Sequence, residues 1–414
     1  MISVNMTCSS NHYFSWHSQP LINKTAAGNV LLAGAILVSG ESFTLVKSMC
    51  DAFGLVIFGA STYYDVQNKW LFPAVNKHWQ DERDSVLRTL QSQPQPLTIL
   101  GDGQCDSPGF SAKYGVYSVA EQSSMKIIDF ELVQVGEHEV KYSQHLEPTG
   151  FKRIVTRLLE HGLNIGTIAT DRHTTIRAII RKDFPGLQHQ FDVWHMVKGV
   201  QKKLLLGGKK KSCKMILPWV KSVSNHLWWC AAECKGDADL LREMWVSIVN
   251  HIVNKHAWNY GSCFHKCAHA ALHETDTTKY LKAGSQAHKL LTSVVMEKRL
   301  LRDVGHLTQF CHTGPLEVYH SLHLKYAPKR HHYSYKGMLA RSQLTALDHN
   351  ENANRLQAVD ADGKKLYRPE YPKSQKDWIL KKRYEKKTFG FRHDILCTAL
   401  ELRQGGKYFL TKTI

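Results

Sequence analysis

"LTILGDGQCDSPG", residues 97–109, is the stretch on which the reading of the fold turns. Leu97, Ile99 and Leu100 make an apolar run of strand length, and Gly101, Gly103, Pro108 and Gly109 punctuate the residues beyond it. Asp102 is therefore expected at a strand tip. Such a tip is stiff behind and open in front, which suits a carboxylate that must hold a metal or a proton at fixed geometry. An Asp that merely caps a turn is the plainer reading, and this stretch alone leaves both open.

Beyond it the order of elements becomes regular. "YGVYSV" (114–119) and "KIIDFELVQV" (126–135) read as strands, and in the second Ile128, Phe130 and Leu132 alternate with Asp129 and Glu131, the period of a half-buried strand. "FKRIVTRLLEHG" (151–162) sets Phe151, Ile154, Val155, Leu158 and Leu159 at helical spacing and stops at Gly162. A buried strand "IGTIATD" (165–171), a helix "TTIRAIIRKDF" (174–184), a short strand "QHQFD" (188–192) and a helix "HMVKGVQKKLL" (195–205) come next. The order β-β-β-α-β-α-β-α predicts an α/β protein with a ribonuclease H-like mixed sheet flanked by helices.

The flanking regions differ in character. Residues 1–95 read as a mixed, mostly helical N-terminal region, ended by a "QSQPQP" linker (91–96). Residues 96–205 hold the first part of the core. Between 206 and 305 the strand pattern gives way to amphipathic helices rich in Trp and His, an all-α insertion in which Trp228, Trp229, Trp245 and Trp258 are read as core residues before base-stacking platforms. Residues 306–345 should return to the core with its final catalytic helix, and 346–414 form a basic C-terminal region, expected to be partly disordered.

Composition narrows the partners. The 414 residues carry 54 Lys and Arg against 36 Asp and Glu, a net charge of +18, which favours a polyanion and above all nucleic acid. Ten cysteines in a chain this long read as reduced thiols of an intracellular protein. The longest apolar stretch, "NVLLAGAILVSG" (29–40), is too short to cross a bilayer, so no membrane partner is expected.

In this order of strands the first and fourth strand tips lie side by side, and they carry Asp102 and Asp171, the latter in "IATDRH" (168–173). Two such carboxylates with a third can hold two Mg²⁺ or Mn²⁺ ions for in-line phosphoryl displacement. The expected third acid is Glu317 in "HTGPLEVYHSLHLKYAPKR" (312–330): Thr313, Gly314 and Pro315 start a helix, Glu317 falls in its first turn, and His320 is expected on the same face. Glu297 and Glu274 are its rivals, and a first-turn Glu that only complements the helix dipole is the plainer reading. Lys325, Lys329 and Arg330 just beyond are candidates for phosphate contacts. Asp192 and His195 in "DVWH" are read as supports of the metal site or as a structural Asp–His pair, and His173 as a supporting residue rather than a ligand. Cys230, Cys234, Cys267 and His269 compose a possible structural Zn²⁺ site, with Cys263, His265 and His256 as spare ligands and buried core thiols as the alternative.

From about residue 28 to 360 the sequence resembles the DDE transposases of the Kolobok superfamily of eukaryotic DNA transposons. The strings that carry the resemblance are "GDGQCDSPGFSAKYG", "TDRH", "FDVWHMVKG", "NHLWW", "HTGPLEVYHSLHLKYAPKR" and "LDHNEN". It implies a catalytic triad at Asp102, Asp171 and Glu317, with the family's Asp-x-x-His signature at Asp192 and His195. It also implies hydrolysis at transposon ends and then attack of the 3′-OH on target DNA, often at TTAA. Double-stranded DNA, a homo-oligomer and a nuclear location are the partners and place expected. Many members carry an N-terminal THAP zinc finger, for which Cys8 and Cys50 ahead of Cys105 are too few. A relic or domesticated, non-catalytic DNA-binding or scaffold protein of the same fold is the alternative.

Overall fold

The computed structural model describes residues 2–23, 25–270, 280–373 and 376–405. Its central sheet has five strands, β1 (Leu97–Cys105), β2 (Tyr114–Glu121), β3 (Ile127–Gln134), β4 (Ile165–Thr170) and β5 (Gln188–Phe191), in the order β3-β2-β1-β4-β5. β2 and β3 pair antiparallel, whereas β1–β4 and β4–β5 are parallel. Helix α1 (Leu146–Glu160) leads into β4 and α2 (Thr174–Asp183) joins β4 to β5. This is the ribonuclease H-like mixed sheet that the order of elements predicted. The chain divides into two compact units, one of residues 94–102 and 151–317, the other of 1–93, 103–150 and 318–414.

In the unit of 94–102 and 151–317, Phe151, Ile154, Val155 and Leu158 of α1 are fully buried, as the spacing requires, and Leu159 stays exposed. The chain then turns at Gly162, whose left-handed φ of 73° lets its N–H reach Leu159 O at 2.9 Å. Helices α3 (Val193–Gly207), α4 (Val220–Glu233), α5 (Ala238–Val246), α6 (Gln286–Val295) and α7 (Lys298–Val304) share one core with Phe191 and Leu307. At its centre Trp245 is fully buried and donates its indole N–H to Val295 O at 3.2 Å, which satisfies the one polar atom of that side chain. From α7 the backbone returns along β5. Phe191 N–H donates to His306 O at 2.8 Å and Val193 N–H to Cys311 O at 3.3 Å, so part of this sheet edge is covered before helix α8 (Gly314–Tyr326) begins.

The other unit begins with a hairpin of Ser3–Thr7 and Tyr13–His17, then becomes helical, with its longest early helix at Phe72–Gln91. It also holds α9 (Tyr335–Asn352), a second hairpin of Tyr367–Glu370 with Ile379–Lys382, and a helix Gly390–Gln404. β3 is not the half-buried strand its alternation suggested. The helix Phe72–Gln91 and α9 pack against it, and Asp129 is buried, with Arg83 Nε 3.4 Å from its carboxylate. α9 runs through the boundary expected between 345 and 346. The helix Gly390–Gln404 packs on Ala27–Ser39, so the basic C-terminal stretch holds folded structure where it is described. Among the described residues, no helix is long and apolar enough to cross a membrane.

Candidate functional site

The register of three adjacent parallel strands lines up three aspartates. Leu100 of β1 pairs with Ala169 of β4, and Ala169 pairs with Gln190 of β5. Two residues beyond each of these positions stand Asp102, Asp171 and Asp192. Adjacent strands lie about 4.8 Å apart, so a common offset sets the three residues side by side at one end of the parallel strands. Asp171 and Asp192 directly follow their strands. Asp102 differs from the expected tip, because β1 runs on to Cys105. Glycine weakens a strand without ending it when a neighbour supplies the hydrogen-bond ladder.

Asp192 is 1% exposed and fully employed. As the N-cap of α3 it accepts the His195 N–H through Oδ1 at 3.1 Å. Its Oδ2 accepts the Thr313 N–H at 2.8 Å and the Thr313 hydroxyl. Burial works against the Asp192 charge, but these hydrogen bonds and the His195 ring outweigh it and hold its pKa at about 2. One carboxylate thus fastens the start of α3 to the residue that precedes α8.

His195 stands among the acids. Its Nδ1 lies 2.8 Å from Asp171 Oδ1 and 3.3 Å from Asp192 Oδ2, and its Nε2 lies 4.0 Å from Glu317 Oε1. Burial opposes protonation of the ring, yet Asp171 and Asp192 overcome it and raise its pKa to about 10. The imidazolium therefore balances part of the negative charge gathered there. Glu317 lies in the first turn of α8, as its sequence context predicts, and its side chain is 44% exposed against 33% for Asp171. Both side chains are thus partly open to solvent, although Asp171 Oδ1, the oxygen that faces His195, is itself buried, and carboxylate oxygens are the donors that Mg²⁺ and Mn²⁺ prefer.

The other expected site residues do different work. His173 caps α2, its Nδ1 accepting the Ile176 N–H at 3.4 Å; burial lowers its pKa against the pull of Asp171. His320 is buried while Glu317 is exposed, so the two do not share a solvent face of α8. Lys325, Lys329 and Arg330 are all exposed, and Lys325 is in addition 3.4 Å from the buried Asp348 carboxylate. Of the rival acids, Glu297 pairs with Lys203 on the surface, and Glu274 lies outside the described residues.

Two partners carry no signal along the chain. Thr313, which reads only as a helix start, is the clamp on Asp192. Asp303 is 1% exposed and accepts hydrogen bonds from Arg172, next to Asp171, and from Arg177 at 2.8 Å. An Asp preceded by three basic residues in "KRLLRD" looks like any acid on a charged helix face.

The expected zinc ligands separate into two places. Cys230 and Cys234 are fully buried in the helical core, where Cys230 Sγ is 3.4 Å from His226 Nε2 and Cys234 Sγ donates to Ala231 O at 3.4 Å. One helical turn apart at the end of α4, both face the core, and burial pushes the Cys230 thiol well up. Cys267 and His269 instead gather with His251 and His256.

No family model matches the chain, and no curated protein matches it. Among solved structures it is similar to the "Drosophila P element transposase strand transfer complex", at 9% identity and a TM-score of 0.32, with 79% of this chain and 92% of that chain covered. Likeness at that level carries no functional weight; the weight rests on the geometry of the carboxylate edge.

Proposed function

We propose that the chain is a DDE-type, transposase-like enzyme that cuts double-stranded DNA at transposon ends and joins the freed 3′-OH to target DNA. The observation that carries this reading is the shared register of Asp102, Asp171 and Asp192, with His195 between Asp171 and Glu317. Asp102, Asp171 and Glu317 are the proposed holders of two Mg²⁺ or Mn²⁺ ions, which when bound supply positive charge at the attacking and leaving oxygens of a phosphoryl transfer. Asp192 is too buried and too fully hydrogen-bonded to be a ligand, and it positions Glu317 through Thr313. His195 orients Asp171 and offsets the repulsion between the acids. The net charge of +18 supports a DNA partner, and exposed Lys329 and Arg330 are proposed phosphate contacts. Kolobok-type membership, self-association and a nuclear place of action complete the proposal and rest on strings such as "GDGQCDSPGFSAKYG" and "FDVWHMVKG".

The test is strand cleavage of DNA carrying the flanking terminal repeats, with Mg²⁺ or Mn²⁺ against a chelator. Cleavage that needs the metal and vanishes in Asp102→Asn and Glu317→Gln is expected. Metal-dependent cleavage that survives Glu317→Gln would move the third ligand elsewhere. Tight DNA binding without cleavage in either metal would favour the non-catalytic protein of the same fold.

A further inference from the structure

We propose that His251, His256, Cys267 and His269 bind one zinc ion as a closed structural site in the helical region, separate from the carboxylates. One ligand atom from each of the four residues lies within 4.8 Å of all the others. A tetrahedral zinc with its usual Zn–N and Zn–S lengths holds a neighbouring nitrogen and sulfur about 3.6 Å apart. Cys267 Sγ and His251 Nδ1 are 3.6 Å apart.

The rings are turned for this purpose. His256 Nε2 is 2.8 Å from the Asn254 side-chain oxygen, while its Nδ1 is buried with no hydrogen-bond partner among the described residues. His269 Nδ1 lies 2.7 Å from Ala270 O, which leaves Nε2 as its donor atom. An oxygen on the outer ring nitrogen fixes tautomer and orientation, the usual support of a zinc-bound imidazole.

The backbone holds the ligands in place. Cys267 N–H donates to His256 O at 2.9 Å and Trp258 N–H to His265 O at 2.9 Å, closing a loop that starts just beyond His251. Glu243 of α5 accepts the N–H groups of Ser262, Cys263 and Phe264 at 2.6, 2.8 and 2.8 Å, which fixes the tip of that loop. Four protein ligands leave no position for substrate, so the ion would staple the loop and not catalyse.

Metal analysis of the full chain, purified from zinc-supplemented cells, tests this. About one zinc per chain is expected from four-ligand coordination, lost in Cys267→Ser and His256→Asn but kept in Cys230→Ser and Asp171→Asn. Exchange for Co²⁺ should produce the visible bands of a tetrahedral ion with a thiolate charge-transfer band, absent in Cys267→Ser. If the variants fail to fold, a mercurial added to the folded wild-type chain should release the one zinc. Wild-type protein with native circular dichroism that holds no zinc and takes up no Co²⁺ overturns the proposal. So does zinc retained in folded Cys267→Ser, and zinc lost in Asp171→Asn would assign the ion to the carboxylates.

Discussion

The carboxylate edge and the His–Cys cluster are built in opposite ways. At the sheet edge the candidate ligands are oxygens, partly exposed, set by strand register and braced by a buried carboxylate beneath them. In the cluster they are imidazoles and a thiol on a short helix and a cross-linked loop. Oxygen donors that solvent can reach suit a hard ion that exchanges water and meets a substrate; four nitrogen and sulfur donors facing one another suit an ion that never leaves. Rigidity has a different source in each. A sheet supplies it through its strand ladder, whereas the loop draws it from a few backbone hydrogen bonds and Glu243, to which the proposed ion would add.

Asp171 separates the two sites most sharply. Asp171→Asn keeps the size of the side chain but removes a charge needed at the sheet edge, so DNA cleavage should fall by several orders of magnitude while the zinc content stays unchanged. DNA affinity should hold or rise at low salt, since binding derives from Lys and Arg, and filter binding beside a cleavage assay reads both.

Asp303→Ala should cost about 3 kcal/mol of folding stability, the low end for a buried ion pair, because Arg172 and Arg177 are 26% and 32% exposed and can rehydrate. Urea midpoints measure it. Burial opposes the Asp303 charge, but Arg172 and Arg177 prevail and hold its pKa below the ordinary carboxylate value. Its stabilisation is therefore complete above the pKa of an unfolded Asp and is lost as pH falls through the folded value. Asp303→Asn should flatten that acid limb of the stability curve.

Thr313→Val removes the hydroxyl donor and leaves Asp192 Oδ2 with the backbone N–H alone. About 1–3 kcal/mol of stability should go, the cost of an under-satisfied buried acceptor. Cleavage should fall by roughly 10–100-fold, as for other outer supports of metal ligands, with zinc content unmoved. An unchanged cleavage rate would detach Asp192 from the positioning of Glu317.

Glu297→Gln should do least. Its pairing with Lys203 is a surface contact with both side chains well exposed, worth about 0–1 kcal/mol, and cleavage and zinc content should both be unaffected. A large loss of cleavage here would make Glu297 the third acid.

Local residue pattern specified the order of the sheet elements and the ends of β4 and β5 at Asp171 and Asp192, while β1 continues past Asp102 to Cys105. Both are local: the period of apolar residues selects strand or helix, and "TILGD", "TIATD" and "QHQFD" each set an Asp at the end of an apolar or strand-like run. Glu317 was legible for the same reason, since a Thr-Gly-Pro start places it in a first turn. Tertiary structure alone decided the partners. Asp192 meets Thr313 across 121 residues, and nothing along the chain announces that pair. Cys230 and Cys234 have metal-like spacing, yet one turn of helix directs both into the core, while His251 joins Cys267 because a loop folds back at Glu243. Spacing predicts which residues share an element, but a ligand set or a clamp depends on where separate elements meet, and that is set by the packing of the whole unit.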